Sequence, residues 1–332
     1  MSRVLITGAA GFIGSHMARG SRDAGHEVHV VVRPGSDDSR LDGLEASIIR
    51  HDFDLQSEDA MKRCLSEVTP DMVFHLAAKP RRREEAELAD VKAGTSEHLS
   101  ALLNLLGAAS SVARPPQKII RTGSIAEYGI AATPYDEDVR EMPVTAYGAE
   151  LAAATHLVGG LQRRLPFPVI TARLALVYGP TQSTEFMVPL FIERCLAGQP
   201  CIVHQPDDRR DLLHVGDVVD ALLRIADAPI STRIVNIASG IAPTMREVAA
   251  LIVERTGADP NLIELREGRP STGRRELRAS VARAKDLFGW SARIPLPQGI
   301  SRTVEWQRQA VAPPSASSAA TAKDGLKVVA SQ

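Results

Sequence analysis

Aromatic residues are scarce in this chain: Phe, Tyr and Trp make up 4% of its 332 residues. A surface that stacks on nucleic-acid bases needs more of them, so that class of partner is not expected. Charge of one sign is missing too. The net charge is −1, and the short basic run Arg81 to Arg83 is followed at once by Glu-Glu-Ala-Glu, which reads as a solvated helix start. Cysteine is sparse. Cys64, Cys195 and Cys201 are an odd number at no metal-like spacing, which predicts no metal site and fits a reducing cytoplasm. No stretch approaches the roughly 18 apolar residues of a membrane span, and no apolar leader precedes the first strand. A soluble cytoplasmic protein, with no membrane partner, is expected.

What is present is an ordinary globular composition, 44% hydrophobic and 24% charged, long enough for one large α/β domain or two packed lobes. Short apolar runs alternate with helical patterns, the mark of stacked βαβ units. Strands are predicted at 3–8, 27–32, 46–52, 70–78, 118–124 and 167–179. Helices are predicted at 12–25, at about 84–113, and from the segment that begins at Thr145. Beyond 180 the pattern loosens into helices at 186–198 and 244–256 and a strand at 233–238. The expected fold class is α/β: a Rossmann-like, doubly wound parallel sheet with a smaller C-terminal α/β substrate lobe. Residues 1–180 read as the dinucleotide-binding domain and 181–311 as an interleaved substrate lobe. Residues 312–332, rich in Ala, Ser and Pro, read as a disordered tail.

The segment "ITGAAGFIGSH" places Gly8, Gly11 and Gly14 between a strand and a helix. The first glycine turns the chain, the second lets backbone approach a pyrophosphate, and the third lets helix and strand pack closely. The helix start at Phe12 and Ile13 then offers N–H groups and a positive dipole end to an anion. Arg33 directly follows the second strand, where sites for NAD usually carry an acid. An arginine there suits the 2′-phosphate of NADP; Asp37 and Asp38, close by, keep NAD open as the alternative cofactor.

The ordered markers "TGAAGFIG", "HDFDL", "VFHLAA", "TGSIAEYG", "AYGAE", "RLALVYGP", "RRDLLHVGDVVDAL", "VNIASG" and "LFGW" resemble an extended short-chain dehydrogenase/reductase of the nucleotide-sugar epimerase, dehydratase and reductase group. The resemblance spans about residues 3 to 310. It implies that Tyr147 is the catalytic acid/base and that Ser124 bonds the reacting sugar oxygen. It puts Asp52 and Phe53 beside the adenine and Leu76, Ala77 and Ala78 along the cofactor. Lys79, Arg210, Arg269 and Arg274 become candidates for holding a nucleotide-sugar, and a homodimer is implied.

The chain departs from that pattern in three places. Leu151 stands where the family has the lysine of Tyr-x-x-x-Lys, and a hydrocarbon beside a phenol raises its pKa. Another cation such as Lys79 or Lys92, or the nicotinamide ring, could replace it; Tyr147 could act as a neutral acid only; or the chain could bind ligands and turn over poorly. Ile125 and Ala126 replace the polar residues of dehydratases, so dehydration is not expected. Leu176 replaces an asparagine that contacts the substrate diphosphate. The leading expectation is an NADP-dependent reductase acting at C4 of a nucleotide-linked 4-keto-6-deoxy sugar. The alternatives are a nucleotide-sugar 4-epimerase with retained NAD, and a catalytically weak dinucleotide-binding scaffold or sensor.

Overall fold

The structure, a computed structural model, describes residues 1–78, 88–229, 232–267 and 275–311. Lys79, Arg269, Arg274 and the tail 312–332 lie outside the described residues. The chain opens with β1 (Arg3–Thr7), α1 (Phe12–Asp23), β2 (Glu27–Val32), β3 (Ile49–Asp52), α2 (Glu58–Val68), β4 (Met72–His75) and α3 (Leu88–Ser111). It continues with β5 (Lys118–Ser124), α4 (Ala146–Leu161), β6 (Val169–Leu174), β7 (Leu176–Tyr178), α5 (Met187–Leu196), β8 (Cys201–His204), β9 (Arg209–Arg210) and β10 (Leu212–His214). It ends with α6 (Val215–Asp227), β11 (Ile234–Ile237), α7 (Met245–Thr256), β12 (Ile263–Arg266), β13 (Glu276–Leu277), α8 (Ala282–Phe288) and α9 (Leu296–Val311).

Seven strands form one sheet in the order β11-β6-β5-β4-β1-β2-β3, and all six pairings are parallel. Helices cover both faces, so the central strands are unbroken apolar runs rather than alternating ones. On one face α1 and α6 pack through Met17, Ala18, Val218 and Leu222. On the other, α2, α3 and α4 pack through Leu65, Leu105 and Val158. The doubly wound fold expected from the sequence is the fold observed. The strand order reverses between β1 and β4, and ligands of such sheets sit beyond the carboxyl ends at that reversal.

A second core lies between α5, α7 and α9, built from Phe191, Ile192, Val248, Ile252, Ile300 and Val304. The sequence places one strand at 167–179, but the structure divides it. Ala175 N still donates to Ile237 O in the main sheet, whereas Leu176 N donates to Asp211 O, and β7 pairs with β10. The change of partner within one residue splits the strand. Strand β4 also stops at His75, short of the predicted end at 78, and this releases Leu76, Ala77 and Ala78 from the sheet. Among the described residues no helix is long and apolar enough to cross a membrane.

Candidate active site

A cavity of about 340 Å³ opens beyond the carboxyl ends of β1, β2 and β4, with Gly8, Gly11, Arg33, Phe53, Ala77 and Ala78 on its wall. The glycines are there because larger residues do not fit. Gly8 has φ +73, and a Cβ on it would lie 2.6 Å from Ala77 N; one on Gly14 would lie 2.1 Å from Gly8 O. Gly11 caps α1 with no side-chain hydrogen bond to the first-turn N–H groups, which leaves a helix N-terminus suited to an anion. Phe12, Ile13 and Gly14 make that first turn and are not among the lining residues. Leu76 joins Ala77 and Ala78 on the wall.

At the other strand end, Arg33 lines the cavity while pairing with Glu97 of α3 at 3.4 Å. Ser36 and Asp37 line it too; the backbone and hydroxyl of Ser39 hold the Asp37 carboxyl below its usual range. Asp52 is not on the wall. Its carboxylate receives Arg50 Nε at 2.8 and 3.0 Å, while the next two residues, Phe53 and Asp54, line the cavity.

Tyr147 and Ser124 come together by a close fit between two elements. Thr145 caps α4 by accepting Gly148 N at 3.0 Å, and a Cβ on Gly148 would lie 2.5 Å from Ala126 O. The first turn of α4 is therefore pressed onto the turn that follows β5, and the Tyr147 phenol hydrogen-bonds the Ser124 side chain. Burial pushes the phenol up to about 12, and the carboxylates of Glu127 and Glu150 add to that; the Ser124 bond and the Arg121 cation oppose them. Leu151, one turn on, is 1% exposed. These effects favour the protonated phenol at neutral pH.

Beneath it runs a buried charge network. Glu127 accepts from Ser124 N at 3.0 Å, Thr155 Oγ1 at 2.8 Å and Arg173 Nε at 2.8 Å, and Arg173 also binds Glu141. Arg121 donates to Thr155 and Thr171 at 3.0 and 3.1 Å. Tyr128, the tyrosine of "EYG", lies under the Arg173 guanidinium and donates to Asn236 Oδ1 at 2.8 Å, so its hydroxyl is structural. His75 is a core residue, 3% exposed, with Nδ1 2.8 Å from Thr7 Oγ1; burial lowers its pKa to about 3.

A sequence profile described as the NAD dependent epimerase/dehydratase family matches residues 4–238. The chain belongs to that family. Among relatives, a UDP-glucose 4-epimerase of Mycolicibacterium smegmatis is 29% identical over 323 residues, 92% of this chain and 98% of its own length. Among solved structures, UDP-glucose 4-epimerase of Thermotoga maritima, crystallised with UDP-glucose, superposes with TM-score 0.82 at 26% identity over 93% of this chain and 100% of its own. The same enzyme of Thermus thermophilus, in complex with NAD, gives 0.81 at 27% over the same shares.

Arg210, expected from the sequence to hold a nucleotide-sugar, is occupied by contacts within the protein. The residue is 9% exposed and its guanidinium is turned inward: Nη2 meets Asp208 at 2.5 Å, and Nη1 donates to the carbonyls of Arg209 and Arg275. Asp208 ends the turn closed by its N–H on Gln205 O, just before β9, and its carboxylate holds the Arg210 guanidinium. Leu176 is partly exposed. Sequence reasoning missed Arg121, Glu150, His98 and Arg173. A charged residue inside a strand apolar on both sides was the available signal for the two arginines. Among the described residues no His, Cys, Asp or Glu cluster is arranged to hold a metal.

Proposed function

We propose that the protein reduces the C4 ketone of a nucleotide-linked 4-keto-6-deoxy sugar, with NADPH as the hydride source. One feature supports this reading: the Tyr147 phenol is buried beside the carboxylates of Glu127 and Glu150, with Leu151 in place of a cation one turn on, and each of these favours its protonated form. A general acid needs that form; a general base at neutral pH needs the other. A reduced nicotinamide bound in the cavity supplies the hydride. Tyr147 donates its phenolic proton to the sugar oxygen as the carbonyl carbon is reduced, and Ser124 holds that oxygen in line.

Gly8, Gly11 and the start of α1 bind the pyrophosphate through backbone N–H groups, and Leu76, Ala77 and Ala78 pack along the dinucleotide. Arg33 binds the 2′-phosphate in exchange for Glu97. Lys79, Arg269 and Arg274 are proposed to reach the nucleotide-sugar phosphates. The protein is proposed to work in the cytoplasm as a homodimer, in keeping with three free, buried cysteines and exposed Leu103 on α3.

The test is incubation of the purified chain with NADPH or NADH and a panel of UDP-, TDP- and GDP-linked 4-keto sugars. Loss of reduced-cofactor absorbance with at least one member is expected. No oxidation with any would overturn the reading. Epimerisation without net oxidation, on NAD that co-purifies, would establish the 4-epimerase favoured by the M. smegmatis relative.

A further inference from the structure

Glu150 follows Tyr147 by three residues, and its side chain meets α3. Its Oε1 lies 2.7 Å from Nδ1 of His98, with the two side chains 6% and 8% exposed. Thr95 Oγ1 is 3.4 Å from Oε2. Removing a carboxylate from water costs several kcal/mol even after relaxation, and a hydrocarbon would fill a helix contact without that penalty. Yet this acid–imidazole pair is not in the core. Both residues line the cavity that Gly8, Gly11 and Ala77 line, so a nearly dry carboxylate, held against an imidazole, borders a space the size of a ligand.

We infer that the Glu150–His98 pair seats the ribose that carries the redox ring of the dinucleotide. A carboxylate has about four acceptor sites on two oxygens and accepts the hydroxyls of a vicinal diol, as the acid at the adenosine end does in many such sites. Position decides which ribose. Residues three apart on a helix are neighbours, so Glu150 is the cavity acid beside the proton donor Tyr147. A ring that exchanges hydride next to Tyr147 carries its ribose beside Glu150. The other acids on the wall are Asp37 and Asp54, which follow β2 and β3, and Glu97, which pairs with Arg33, all at the end marked by Arg33. Leu151 presents no polar atom. His98 holds the carboxylate in place from the opposite helix, as a positioning residue.

This inference rests on the cavity taking a dinucleotide and is indifferent to which sugar is reduced. Its test is equilibrium binding to the full chain of four probes: NADPH, NADH, ADP-ribose and ADP. The first three contain the second ribose and ADP does not. Glu150→Ala is expected to weaken those three about tenfold or more, the size of a charged hydrogen-bond pair lost, and to leave ADP within about twofold. His98→Asn is expected to show the same pattern with a smaller loss. Glu150→Gln, nearly isosteric, reads the same question if the alanine variant folds poorly. Equal loss for all four probes would overturn the inference by putting the pair at the adenosine ribose or in a purely structural role; no loss for any would overturn it outright. If the expected pattern appears while no 4-keto sugar is reduced, the sugar reading fails and the ribose seat stands.

Discussion

Replacing Leu151 with lysine puts the cation back where the resemblance expects it. An ammonium one turn beyond Tyr147 would sit on the order of 6 Å from the phenol. At an effective dielectric near 20, a unit charge at that distance is worth about 2.8 kcal/mol, or about two pKa units. The phenol, now near 12, is expected to fall to about 10. Leu151 is 1% exposed, so the exchange also removes about 2–3 kcal/mol of apolar burial. The measurement is the phenolate absorbance as a function of pH in Leu151→Lys, with Leu151→Lys/Tyr147→Phe as the blank, repeated for the parent pair. Turnover of a ketone substrate gives a second reading. An acid donor works below its pKa and fails as pH rises through it, so the parent is expected to show no Tyr147-dependent loss up to about pH 10, and the lysine variant a basic limb near there. A parent phenol titrating near neutrality, or one unmoved by Leu151→Lys, refutes the donor reasoning.

Breaking the buried pair by Arg173→Met strands Glu127 without its ion-pair partner, and a loss of about 3–5 kcal/mol in urea unfolding is expected; Arg173→Met/Glu127→Gln is expected to recover part of it. Arg33→Ala is expected to weaken NADPH about tenfold with little effect on NADH, and Glu97→Gln to shift preference towards NADPH; unchanged ratios in titration calorimetry would contradict the assignment. His75 and His214 have pKa values lowered by burial to about 3 and about 4. The unfolded chain therefore binds protons first as pH falls below about 6.5, and stability present above that value is lost on acidification. By pH 5 the two contribute about 2 kcal/mol each. His214→Asn, which keeps an acceptor for Gly216 N, is expected to flatten the dependence of melting temperature on pH.

Much of the cofactor end was legible because its causes are local. Glycines at fixed spacing, a strand before them and a helix after them are steric requirements written in consecutive residues, and Gly8 and Gly14 meet those requirements in space. Ser124 and Tyr147 were legible as a pair through the resemblance alone, since no periodicity joins β5 to α4. The rest depended on pairings between distant segments. His98 and Glu150 look like ordinary polar positions on two helices until α3 and α4 are laid side by side. The division of β6 from β7 was hidden because "LALV" (174–177) is apolar throughout, and hydrophobicity does not say which neighbour a strand bonds.

That junction bears on where the chain can be cut. A fragment ending at residue 180 keeps six of the seven strands and discards β11, the neighbour of β6. It would carry an apolar strand with a bare row of backbone donors and acceptors on its outer side, a template for self-association. The boundary suggested by composition is a change of texture in the sequence, and severing the molecule there would open the sheet rather than release a working half.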